Sequence, residues 1–116
     1  MSWEKLFIND VQLSGNHRDL LKKQGDGLSK HIKDYFSDLS DESAWLGGKG
    51  EAWERGPYYI DGLIPLAYLL EDDELISEAD KWIKSILDSR EESGFFGPTK
   101  NIDWWPRAVV LKAMVS

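Results

Sequence analysis

From Ile60 to Leu70 the chain reads IDGLIPLAYLL, with apolar side chains at Ile60, Leu63, Ile64, Leu66, Ala67, Tyr68, Leu69 and Leu70. A surface helix keeps a polar stripe. This one has almost none, so other elements must enclose it on every side. Pro57 fits the first turn, where its missing N–H is no loss. Pro65, inside the run, predicts a kink that leaves the Asp61 carbonyl free. A chain with such a helix has to build its fold around it.

The flanking segments supply the surround. Leu21, Leu28, Ile32, Tyr35, Phe36 and Leu39 fall at helical spacing, which predicts a helix up to Leu39. Gly25 and Gly27 weaken that helix locally, by up to about 1 kcal/mol each relative to Ala, and permit close approach of a neighbour. After the central run, EDD forms a short acidic turn that can cap the next helix. In that helix Leu75, Ile76, Ala79, Trp82, Ile83, Ile86 and Leu87 make one stripe, with Glu78, Asp80, Lys81, Lys84 and Asp88 opposite. It is half exposed, and Trp82 is a core residue. Pro106 then opens a last apolar helix, Ala108-Val109-Val110-Leu111, that reads as enclosed again. Residues 1–15 are irregular. No segment alternates as a half-buried strand does, so the class is all-α, a single domain or fragment over 1–116 with room for about four helices.

Charge and composition exclude several functions. Fourteen basic against 21 acidic residues give a net charge of −7, which disfavours nucleic acid and anionic membrane as partners. Without cysteine there is no disulfide framework and no thiolate zinc site, and His17 and His31 lack a second ligand at metal spacing. The N-terminal MSWEKLFIND has no apolar core of a signal peptide, and no apolar run approaches the ~20 residues of a membrane span, so the expected location is the cytoplasm. Six tryptophans are several times ordinary usage. Trp combines an apolar face with a donor edge.

Two helix starts resemble one another: WERGPYYIDGLIPLA and IDWWPRAVVLKAM. Their prolines, Pro57 and Pro106, lie 49 residues apart, and each comes after a glycine-bearing loop and a Trp within four positions. A helical hairpin, inner helix then outer helix, is the repeating unit this implies. Hairpins that close into a double-layered α/α toroid would bury their inner helices all round and gather the helix starts at one mouth. A ring of six hairpins needs on the order of 190 residues, at ~11 per helix and ~5 per connection. With 116 residues the chain is expected to form an arc of an (α/α)6 toroid with the ring incomplete.

Crowded at those mouths are Trp53, Glu54, Arg55, Tyr58, Asp61, Trp104, Trp105 and Arg107, the candidate substrate-binding residues. Aromatic faces stack on the C–H patches of a sugar ring, while Arg and carboxylates bind the hydroxyls around its rim. Glu54 and Asp61 can be read as an acid/base pair, as partners of Arg55 or helix caps, or as ligands for sugar hydroxyls. Of the consecutive pairs Tyr58-Tyr59 and Trp104-Trp105, at most one each faces a common cavity. Arg107, beside the tryptophans, is the better candidate for a functional charge. Phe95 and Phe96 pack their loop down.

The stretch WLGGKGEAWERGPYYIDGLIPLAYLL, with DWWPR after it, resembles the N-terminal part of the β-L-arabinofuranosidase-like glycosidases, glycoside hydrolase family 127 and its relatives. QGDGLSKHI, residues 24–32, resembles the preceding helix of that family. The likeness runs from about Val11 to the end. It implies an (α/α)6-barrel catalytic domain acting on glycans, of which this chain holds the first two hairpins. Members use a cysteine nucleophile bound to zinc, located downstream of the matching region. With no cysteine here, neither nucleophile nor zinc carries over; the metal belongs to a full-length relative. The resulting expectation is a fragment that binds carbohydrate and does not hydrolyse alone, associating with itself or with the missing barrel segment. The alternatives are a helical-repeat protein-interaction module, and a different toroid enzyme such as an unsaturated-uronyl hydrolase.

Overall fold

The computed structural model describes residues 1–116 and contains only helices. They are α1 (Gly15–Gln24), α2 (Lys30–Tyr35), α3 (Arg55–Leu70), α4 (Asp73–Asp88) and α5 (Trp104–Met114), with short 3-10 turns between and before them. α3 is the centre. It packs against both α4 and α5, and Ile60, Leu63, Ile64, Leu66, Ala67 and Leu70 along it are all buried. The helix runs through Pro65 without ending. It stops at Glu71, whose left-handed backbone (φ 53°) lets the Asp72 N–H return to the Ala67 carbonyl at 3.2 Å. Asp72 then caps α4, its carboxylate accepting from the N–H groups of Glu74 and Leu75. The acidic turn thus does what its sequence predicts.

α4 buries Leu75, Ala79, Trp82 and Ile86 and turns its charged residues outward. Leu87, assigned to the stripe by spacing, is exposed at the C-terminal end. α5 departs further from expectation. It buries Pro106, Arg107, Val110 and Ala113, but Trp104, Trp105 and Leu111 face outward, so it is covered on one side only. Its other flank is uncovered, and the molecule is a slab of 44 × 43 × 20 Å. Twenty ångströms is the thickness of about two helices. Only a helix in the middle of such a slab can be enclosed, and 22 of 116 residues are buried.

The helix expected up to Leu39 ends at Tyr35 and is interrupted by a π-helical turn at Gly25–Ser29, which is why five helices form instead of four. The wider turn inserts an extra residue and rotates the faces of α2 relative to those of α1. Leu28, Tyr35 and Phe36 consequently end up exposed, while Leu39 is buried. Gly25 does permit close approach: a Cβ there would lie 3.1 Å from the side chains of both Leu70 and Leu75. Gly27 faces open space. Lys30, at the start of α2, ties the segment to the core, reaching Asp72 at 2.8 Å and Asp26 at 3.2 Å. Residues 1–14 contain a single 3-10 turn, Ile8–Asp10, and touch the far end of α5 through Lys5 Nζ, which donates to the Val115 carbonyl at 2.8 Å. No helix is long and apolar enough to cross a membrane.

The loop between α4 and α5 is fixed by Trp45. Gly97 has φ 79°, and a Cβ there would fall 2.4 Å from the Trp45 ring. Gly94, also left-handed at φ 88°, has nothing nearby. Gly97→Ala is therefore expected to cost about 2 kcal/mol, through backbone strain and overpacking together. Gly94→Ala should cost only the strain, about 1 kcal/mol. Urea midpoints of the two variants test this, and equal losses would contradict it.

Candidate functional site

The two helix starts singled out by sequence lie side by side. Trp105 Nε1 donates to Glu54 Oε2 at 3.1 Å, and two turns further along Lys112 Nζ donates to both oxygens of Asp61, at 2.9 and 2.7 Å. Both contacts join residues 51 apart in sequence. A constant offset over seven residues means that α3 and α5 run in the same direction. Their connecting helix α4 must then run back, which gives an up-down-up order.

The loops leading into α3 and α5 are braced crosswise. Trp53 Nε1 donates to Asp103 Oδ2 at 3.1 Å, Asn101 Nδ2 to the Ala52 carbonyl at 3.2 Å, and Lys100 Nζ to the Lys49 carbonyl at 2.9 Å. Asp103 also caps α5 by accepting from the Trp105 N–H at 2.9 Å. Trp53 and Trp105 are thereby held on one rim, 47% and 54% exposed, while the neighbouring Trp104, 59% exposed, points elsewhere. Trp104 is steadied by an edge-on contact with Phe95 at 5.9 Å between ring centres.

Not all eight predicted residues join this rim. Arg107 is the clearest correction. It is fully buried, its guanidinium donating to the carbonyls of Phe96 (2.7 Å), Asp103 (2.6 Å) and Pro98 (2.8 Å) while stacking 4.1 Å from the centre of the Phe95 ring. Burial pulls its pKa below the ordinary arginine value and the nearby Asp103 charge opposes that. Its work is to hold the loop of Phe96, Pro98 and Asp103 closed, and it offers no donor to a ligand. Arg55 pairs with Asp38 rather than with Glu54 or Asp61. Asp61 is taken by Lys112, and Glu54, at the start of α3, makes no side-chain cap. The geometry thus assigns the two carboxylates separate partners.

On the other flank of the first turn of α3 is an open groove of about 470 Å³, lined by Ile32, Phe36, Leu39, Glu54, Arg55, Tyr58 and Tyr59. Tyr58 is half exposed there, whereas Tyr59 is partly buried, edge-on to Trp82 at 5.7 Å and donating its hydroxyl to the Ser29 carbonyl at 3.2 Å. Burial, aided by Glu78, raises the Tyr59 pKa above that of a free phenol. Phe96 is buried and Phe95 partly so, which pins their loop as expected. No three His, Asp or Glu side chains converge as a metal ligand set. Sequence reasoning missed Asp38, Trp45 and Asp103. For Asp103 a signal existed, since an Asp immediately before WWP is a good helix cap. Comparison of the chain with family models, with curated proteins and with solved structures gives no match.

Proposed function

We propose that the chain supplies the rim of a sugar-binding cavity in an (α/α)6-toroid glycoside hydrolase of the β-L-arabinofuranosidase-like kind, and that it does not hydrolyse glycans alone. One observation carries this reading: α3 and α5 run parallel, so their starts set Trp53 and Trp105 together at one end, beside Glu54 and Asp103. An up-down-up succession is also what an arc of inner and outer toroid helices requires. The outward face of α5 around Leu111, away from the tryptophans, is where a further hairpin or a second copy would pack.

The test is a titration of the full chain with arabinofuranosides and plant-type oligosaccharides, monitored by tryptophan fluorescence. Saturable change with at least one glycan is expected. Trp53→Ala or Trp105→Ala should weaken binding about tenfold, the equivalent of one aromatic contact. A flat response across a broad panel would reject the carbohydrate reading. It would favour the second one, a helical interaction module, which the exposed Leu87, Ile102, Leu111 and Val115 support.

A further inference from the structure

We infer that the groove between α2 and the start of α3 is a subsite for a neutral aromatic group, the aglycone of a glycoside whose sugar lies on the tryptophan rim. The inference rests on the carbohydrate reading above and adds the chemical class of the second half of the ligand.

The walls decide the chemistry. Ile32, Phe36, Leu39, Tyr58 and Tyr59 present carbon over most of the surface. A sugar pushed into them would leave its hydroxyls without partners, which is costly. A flat ring would stack on or meet the edges of Phe36, Tyr58 and Tyr59 at no such cost. The volume of about 470 Å³ falls within the range of small-molecule pockets. One wall is preformed, because the Tyr59 ring is held by the Ser29 carbonyl and by Trp82.

The charges at the lip narrow it further. Arg55 is paired with Asp38 and Glu54 adds a negative charge, so the lip as a whole does not favour an anionic ligand. Glu54 is the one other charged group, and a single oxygen of its carboxylate takes the Trp105 N–H. The second oxygen can accept from a hydroxyl. A neutral ring that carries or is joined to a hydroxyl-bearing group satisfies every one of these features.

Position connects the groove to the rim. Glu54 lines the groove and at the same time bonds to Trp105, so it is the partition between the two surfaces. A ligand crossing Glu54 would lay its sugar against Trp105 and its aromatic part against Tyr58.

Three probes test this by calorimetry and by saturation-transfer NMR on the full chain: phenyl arabinofuranoside, methyl arabinofuranoside and phenol. Phenyl arabinofuranoside should bind about tenfold more tightly than the methyl compound. Phe36→Ala, at an exposed position, should abolish that advantage while leaving the methyl glycoside's Kd unchanged, with circular dichroism checking the fold. Equal affinities for the phenyl and methyl glycosides would overturn the subsite and leave the rim standing. Phenol binding that is lost in Phe36→Ala, with no binding of the methyl glycoside, would uphold the groove and reject the sugar reading. Failure of all three probes would overturn both.

Discussion

Arg107→Ala is expected to destabilise the protein by about 3–5 kcal/mol, because two buried carbonyls and a part-buried third lose their donor at once. Those of Phe96, Pro98 and Asp103 converge on one guanidinium, and no other side chain donates to them. The Phe95 ring loses the cation stacked on it as well. Domains of this size are stable by about 5–15 kcal/mol in total, so the loss is a large share of the whole. Arg107→Lys is the informative companion. It keeps the charge, but a lysine cannot present a planar fork to three acceptors, so most of the loss should persist. Urea denaturation monitored by near-UV circular dichroism measures both. If Arg107→Ala unfolds at the wild-type midpoint, the loop closes without its guanidinium and the structural role assigned to it is wrong.

Trp82→Ala should have an effect of the same size, about 3–5 kcal/mol, for a different reason. Trp82 is wholly buried, at the crossing of α3 and α4, edge-on to Tyr59 and close enough to Gly56 that a Cβ there would sit 2.8 Å from the ring. Removing the indole opens a cavity the rigid neighbours cannot fill. Its Nε1 also donates to Glu78 at 3.1 Å, and the same carboxylate binds Lys33 at 2.8 Å. Trp82→Phe keeps most of the packing and loses the hydrogen bond, which predicts a milder cost of about 1–2 kcal/mol. Thermal unfolding of the two variants should therefore rank Ala well below Phe. Equal midpoints would mean that the indole N–H, and not the volume, is what matters.

The central helix is legible in the sequence because its apolar residues leave no other place for it. α5 looks similar and behaves differently. Its pattern shows that Trp105 and Leu111 are apolar, but whether a neighbour covers them depends on elements a single helix cannot reveal. The first segment misleads through phase: a glycine-assisted π turn shifts the faces after Gly25, and spacing counts assume a constant 3.6. Arg107 reads as functional from its place beside two tryptophans. Its true surroundings are loop carbonyls contributed by Phe96 and Pro98, and the shape of a loop does not show in residue order. The same limit hides the partners of Arg55 and Asp61, since Asp38 and Lys112 are brought to them only by the folded chain. The adjacency of the two proline-led helix starts, by contrast, is foreshadowed by their likeness to each other.

The indole N–H groups of Trp53 and Trp105 are both occupied by carboxylates of the neighbouring helix start. Whatever settles on those two rings therefore meets carbon and π-electrons, with no donor to tell an axial hydroxyl from an equatorial one. A sugar placed there would be sorted by flatness rather than by epimer. Any preference for one stereoisomer has to come from groups beyond the two rings.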